Sequence, residues 1–422
     1  MIIGPGMKGF PADMPEMSLR EARTKGWQLH KDIVPPFAVL RRSALENNDA
    51  WMARFINAMP DVVLCPHGKT TMAPQLFDRQ LRSGAWGITC ATMAHLRSYR
   101  RFGVPRVLFA NQIVSEADAR WLAIELCEDP GFDVAVFVDS PAGADLLAAA
   151  ATEVGLDRPI PLLLEIGVGS ARTGVRSPES ALDLARHIAV RDGVALAGIA
   201  TFEGVLPGGT DEAMEPHVAS LFDLVEEVSV RIGGEGLFRS GAPVILSAGG
   251  SRFFDMAASR LQAIDPGNDK LVVLRSGCYI SHDAHHYEVA FQRLLQRRGA
   301  APVEGRLENA LQVWASVQSR PEEAWAFANI GKRDISHDID LPVVLSGWRD
   351  GRAFDAARDA GIRVDRLSDQ HAHLALPPAA DLRFGDHLAF GISHPCTTFD
   401  KWRFLYEVDD EDRVVDIIAT FF

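Results

Sequence analysis

Short apolar runs rich in β-branched residues recur along the first part of the chain, and between them apolar positions repeat at i, i+3 and i+4. The runs are Val62–Cys65, Trp86–Cys90, Arg106–Ala110, Asp133–Val138, Pro161–Ile166, Leu196–Phe202, Val244–Ser247 and Leu271–Leu274. The helical stretches include Ala91–Phe102, Ala117–Leu126, Pro141–Val154, Ser180–Val190 and Glu215–Ile232. Strands that are apolar throughout must be covered on both faces, so the pattern predicts an α/β fold with a parallel sheet wrapped in helices. Eight such units over roughly 240 residues is the size of a (β/α)8 TIM barrel. A doubly wound open sheet satisfies the same alternation, because a strand count does not prove closure.

Polar and special residues collect where these runs end. Lys69 follows the first, Thr89 and Cys90 close the second, and Asn111 closes the third. Asp139, Arg172 and Glu203 follow the next three, Gly249-Gly250-Ser251 the seventh, and Gly277 with Tyr279 the eighth. In a barrel the carboxyl ends of the strands form one rim, so these distant positions converge.

Beyond Arg297-Arg298-Gly299 the texture changes. Strand-like pieces at Gln312–Ser319, Trp325–Asn329, Leu341–Leu345, His371–Leu376, His387–Gly391 and Val414–Thr420 are separated by Gly, Pro and Asp turns, which predicts an antiparallel β domain. The expected organisation is an N-terminal segment, 1–35, packing on the β domain, a barrel over 36–300, and the β domain over 301–422.

Composition narrows the class. The 422 residues are 47% hydrophobic and 23% charged, ordinary for a globular protein. A net charge of -13 argues against a nucleic-acid or anionic-membrane surface. No apolar run is long enough to span a bilayer, and the N-terminus lacks the basic-then-apolar order of a signal peptide. The five cysteines, Cys65, Cys90, Cys127, Cys278 and Cys396, are scattered and odd in number, as in a reducing compartment. The expectation is a cytoplasmic enzyme acting on a small molecule.

Three motifs carry candidate chemistry. Pro66-His67-Gly68-Lys69-Thr70-Thr71 places a lysine just past a buried strand. A lysine there commonly reaches out to water, but one held at a rim suits a Schiff base with a carbonyl compound. Ser247-Ala248-Gly249-Gly250-Ser251 precedes an apolar segment able to form a helix; glycines let backbone N–H groups approach an oxyanion, and the helix start favours negative charge. Lysine and phosphate cradle on one rim point to pyridoxal phosphate. His394-Pro395-Cys396 puts imidazole and thiol on one side of an extended segment, a pair that suits zinc and leaves positions open. The competing reading is a buried thiol beside a hydrogen-bonded core histidine. His282, His285 and His286 fit a solvated turn, His371 or His373 could approach His394, and Asp409-Asp410-Glu411-Asp412 reads as a solvated hairpin tip.

The Pro-His-Gly-Lys-Thr block at 66–70, Gly84–Thr92, the glycine-rich loop with Arg172 and the terminal His-Pro-Cys-Thr-Thr block at 394–398 resemble fold-type III pyridoxal phosphate enzymes. The closest branch is that of the D-serine dehydratases and D-threonine aldolases, related to alanine racemase in the barrel. The resemblance implies that Lys69 carries the Schiff base, with His67 beside it and Arg172 near the cofactor. It implies a phosphate site at Gly249, Gly250, Ser251, Gly277 and Tyr279, and a metal on His394 and Cys396. Aldolases of the branch typically have Asp where Cys396 stands, and thiolate suits zinc, so the implied reaction is dehydration of a D-3-hydroxy amino acid such as D-serine to a 2-oxo acid and ammonia. Retro-aldol cleavage to glycine and an aldehyde is the alternative, and a non-catalytic pyridoxal phosphate carrier a more distant one. The resemblance also implies a homodimer. Thr71 and Phe202 depart from the pattern, where relatives often carry His and Tyr.

Overall fold

The computed structural model describes residues 1–169, 171–297, 303–354, 356, 361–378 and 380–422. Ser170 and the expected domain junction at 300 lie outside them. All eight apolar runs are strands: Val62–Leu64, Ile88–Cys90, Arg106–Phe109, Asp133–Val138, Ile160–Ile166, Val194–Thr201, Val244–Ala248 and Lys270–Leu274. They pair in parallel, each with its sequence neighbour from the second to the eighth, and the eighth pairs with the first. The ring closes between the first and second strands: Trp86 N–H donates to Leu64 C=O at 2.7 Å, Thr89 N–H to Pro66 C=O at 2.8 Å, and His67 bridges Thr89. Closure decides for the TIM barrel over the open sheet.

Strand periodicity sorts the apolar side chains into two cores. Cys65, Leu108, Phe137, Leu163, Ile245 and Val273 fill the barrel interior, while their chain neighbours, such as Val107, Phe109 and Val136, face the helices outside. Five of the barrel helices start on a hydroxyl N-cap. Thr92, Ser115, Ser140, Ser177 and Thr210 each accept a backbone N–H from the first turn that follows. The interior is therefore packed below the rim, and a ligand has only the rim to occupy.

The C-terminal sheet has ten strands among the described residues. It departs from expectation in its membership. Phe37–Arg41, inside the segment assigned to the barrel, runs in this sheet instead, antiparallel to Leu311–Trp314 and parallel to Tyr406–Val408. Phe404–Val408 was not predicted, because Glu407 interrupts its apolar pattern; the carboxylate is buried and paired with Arg42 at 2.7 Å and Arg79 at 2.8 Å. Arg352–Phe354 and Arg363–Leu367 were also unpredicted, being mostly polar or charged.

The N-terminal segment packs on this sheet: Ile3, Phe10, Trp27 and Leu29 share a core with Trp314, Phe404 and Tyr406. In that core His30 stacks on Trp348 with ring centroids 4.4 Å apart, and burial brings its pKa down to about 4. No helix among the described residues is long and apolar enough to cross a membrane.

Candidate active site

Past the first strand the chain stays extended through Pro66, then makes one 3-10 turn, Gly68–Thr70, that carries Lys69. Two bonds clamp this segment to the eighth strand: Cys65 N–H to Leu274 C=O at 2.7 Å and His67 N–H to Arg275 C=O at 3.1 Å. Gly277 allows the neighbouring loop to close on it. A Cβ at that position would lie 2.5 Å from the His67 carbonyl oxygen and 2.7 Å from Thr70 Oγ1.

Lys69 opens onto a cavity of about 180 Å³. The barrel contributes His67, Lys69, Arg172, Gly250, Ser251 and Gly277 to its wall, and the β domain contributes His394 and Cys396. Two expected residues stand elsewhere. Gly249, left-handed at φ +99, is buried behind the wall. Tyr279 turns away, because its hydroxyl is held by Asp49 at 3.3 Å and Gln80 at 3.2 Å on the helix side.

The glycine cradle binds an anion from within the chain. Glu203 is fully buried, and its carboxylate accepts N–H groups from Gly249 at 3.2 Å and Gly250 at 2.5 Å. A phosphate group at this loop therefore relies on the donors that remain free, beginning with Ser251.

Other wall residues escaped sequence reasoning. Glu165 lies inside an apolar strand and takes a 2.5 Å bond from Gln112; a lone charge within such a run was the available signal. Arg275 crosses the barrel top, donating to Ser247 Oγ at 2.6 Å and Thr201 C=O at 2.7 Å. Burial brings its pKa down to about 10, against the pull of Glu203 and Glu165. Cys278 and Tyr287 complete the side facing the β domain. Burial, then the Lys69 charge, hold His67 well below the usual imidazole range, so its ring is neutral.

On the β-domain side, His394 Nδ1 pairs with Asp338 at 2.6 Å, and Thr397 Oγ1 donates to the same carboxylate at 2.7 Å. Cys396 Sγ lies 3.8 Å from Cys278 Sγ and 3.5 Å from Thr70 Oγ1. The hydrogen bond from Cys278 drives the Cys396 thiol well below its usual range despite burial, with His394 assisting. Burial opposes charge on His394, yet the contacts with Cys396 and Asp338 raise it to about 9. Thiol and imidazole thus line the same cavity as Lys69.

The remaining histidines stay outside the cavity. His282 is buried against Glu288 at 2.9 Å and is not part of a solvated turn. His285 meets Asp340 at 3.1 Å, and His373 bonds Ser368 at 3.0 Å, so neither joins His394. Asp412, at the expected solvated tip, instead pairs with Arg41.

Residues 40–242 match the alanine racemase N-terminal domain family, and residues 310–408 match the putative serine dehydratase domain family. The chain thus joins an alanine racemase-type barrel domain to a serine dehydratase-type domain. It is 26% identical over 345 residues to a 3-hydroxy-D-aspartate aldolase of Paracoccus denitrificans, covering 79% of this chain and 81% of that one. A D-threonine aldolase from Filomicrobium marinum superposes with a TM-score of 0.77 at 25% identity, covering 94% and 97% of the two chains. A D-threo-3-hydroxyaspartate dehydratase from Delftia sp. HT23 gives 0.69 at 21% identity, over 93% and 99%. Two further structures of a dehydratase so named have alanine in place of a histidine and of a cysteine two positions apart, the latter in a metal-free form.

The cavity wall fits a phosphate-bearing cofactor by its own chemistry. Two buried polar atoms, His67 Nδ1 and Arg275 Nε, lack any hydrogen-bond partner, as befits a surface that receives a ligand. The donor chemistry of His394 and Cys396 also fits a borderline-soft ion, and Asp338 grips the imidazole as outer partners of metal-bound histidines do. Among the described residues, no three His, Cys, Asp or Glu side chains already gather around one point.

Proposed function

We propose that this protein is a pyridoxal phosphate-dependent lyase that removes water from a D-3-hydroxy amino acid such as D-serine, giving a 2-oxo acid and ammonia. The observation that carries this reading is the delivery of His394 and Cys396 to the cavity that Lys69 enters.

The cofactor, when bound, supplies an electron sink for the charge left at Cα. Lys69 would anchor it, and its Nζ would be the group that takes the Cα proton. Neutral His67 meets the ligand without adding a second positive charge next to that amine. Arg172, its guanidinium 4.8 Å over the Phe202 ring, offers an exposed cation to the substrate's carboxylate. Packing below the rim shuts out water from beneath. His394 and Cys396 would hold a zinc ion, whose Lewis acidity suits a departing β-hydroxyl. The alanine variants of the dehydratase, one of them metal-free, support this assignment of the pair.

A second reading, cleavage of Cα–Cβ to glycine and an aldehyde, draws on the aldolase names of the relatives and uses the same residues. Zinc-supplemented protein should be given D-serine, L-serine, D-threonine and D-threo-3-hydroxyaspartate in turn. Production of 2-oxo acid and ammonia from the D-isomers alone supports dehydration. Glycine and acetaldehyde from D-threonine transfer the assignment to the aldolase. Bound cofactor with no turnover of any of them rejects both and leaves a carrier.

A further inference from the structure

We propose that Cys278 is a third ligand, and a second sulfur, for the ion held by His394 and Cys396. The inference rests on the metal reading above and concerns a residue outside the pair that the resemblance implies. Cys278 and Cys396 stand 118 positions apart, one on the barrel rim and one on the β domain, and their sulfurs meet at 3.8 Å. Zinc–sulfur bonds of about 2.3 Å at a tetrahedral angle set two thiolates on one ion roughly 3.8 Å apart.

The placement of Cys278 has a local cause. Gly277 lets the loop press against His67 and Thr70, so the thiol that follows faces Thr70 Oγ1, 4.0 Å away, and the cavity. A cysteine serving only as a small apolar filler would be enclosed by hydrocarbon. Here one side shares a small pocket with Phe254, Phe291 and Leu307, while the side toward the cavity meets a hydroxyl and another sulfur on the wall it shares with Lys69.

Cys396 is the shared neighbour: it meets Cys278 on one side, and His394, two residues before it, lines the same cavity on the other. An ion has to close the remaining edge, between imidazole and Cys278. Two thiolates then neutralise a dication, the imidazole fills a third position, and the fourth stays open for the substrate oxygen. Such a set selects zinc over manganese or magnesium, which prefer oxygen ligands.

X-ray absorption on the zinc-loaded holoenzyme reads the number of sulfurs directly. Two sulfurs in the first shell, falling to one in Cys278→Ser, are expected. Chelator competition should show Cys278→Ser weakening zinc by at least the roughly 10–100-fold that loss of an outer-shell partner costs, with little change for manganese. One sulfur in the unaltered protein overturns the role of Cys278 while leaving the His394–Cys396 site standing, and it does so even if the variant does not fold. Failure to bind stoichiometric zinc at all overturns the metal reading itself.

Discussion

On the barrel side of the cavity, each working group stands at the end of a parallel strand and inherits its position from the backbone ladder. Lys69 is clamped by the bonds from Cys65 and His67 to the eighth strand. On the β-domain side, His394 precedes and Cys396 opens a four-residue helix, Cys396–Phe399, with Pro395 already helical, so the pair does not stand on the extended segment expected. That stretch is held by side chains. Ser336 Oγ accepts the His394 N–H at 3.2 Å, Thr398 Oγ1 accepts the Ser336 N–H at 3.0 Å, and Asp338 grips the imidazole. A wall built from ladder bonds resists single substitutions, whereas a wall built from side-chain bonds loses its aim when one of them is removed. Cofactor binding and metal binding should therefore be separable by mutation.

The largest expected effect tests the barrel side. Lys69→Ala should lower turnover by about 10³–10⁴-fold and abolish the visible absorbance of the bound cofactor; retention of both would break the assignment. On the other wall, Cys396→Ser should cost about 10²-fold in turnover, the order of one preorganised electrostatic contact, with cofactor absorbance unchanged. Parallel loss of absorbance would show that the walls are not separable. Asp338→Asn sharpens the contrast further. It leaves both ligands in place yet should weaken metal binding by about tenfold in a chelator titration, without loosening the cofactor.

Stability measurements extend the comparison to the frames. Gly277→Ala forces a methyl against the His67 carbonyl, so thermal or urea unfolding should show a loss of about 1–3 kcal/mol. The smallest effect lies in the β-domain core. His30 stays neutral down to about pH 4 in the native protein, while its ordinary value is 6.5. Between those values the unfolded chain binds the extra proton, so stability falls as pH is lowered through that window. His30→Phe should flatten the slope of unfolding temperature against pH from 6.5 to 4; an unchanged slope would assign it to other groups.

Much of the barrel was legible because its strands are apolar throughout and its helices repeat apolar residues at i, i+3 and i+4, signals that need no partner to be read. Lys69, Arg172 and the Gly249–Ser251 loop were visible as special residues at strand ends. Glu165, Arg275 and Cys278 were not, since a single charged or thiol residue acquires meaning only when the closed ring brings it to the cavity. The same limit explains Tyr279: strand-end position gave its place on the rim, but its hydroxyl direction depends on Asp49 and Gln80, far away in sequence. In the second domain, Phe404–Val408 was hidden by Glu407, whose two arginine partners come from the Arg42–Asn57 and Pro74–Arg82 helices. Pairing of the Phe37–Arg41 strand across the chain could not be read from local periodicity.

That strand has a consequence for how the molecule can be taken apart. Phe37–Arg41 lies between Leu311–Trp314 and Tyr406–Val408, so the C-terminal sheet is interrupted without a piece of chain made long before it. During synthesis the early strand must wait, unpaired, while the whole barrel is produced. In recombination a single crossover near residue 300 would separate it from its partners. Exchanging the second domain between relatives therefore requires moving two segments together, the N-terminal stretch through Arg41 and everything after the barrel, or the hybrid inherits a sheet with a mismatched seam.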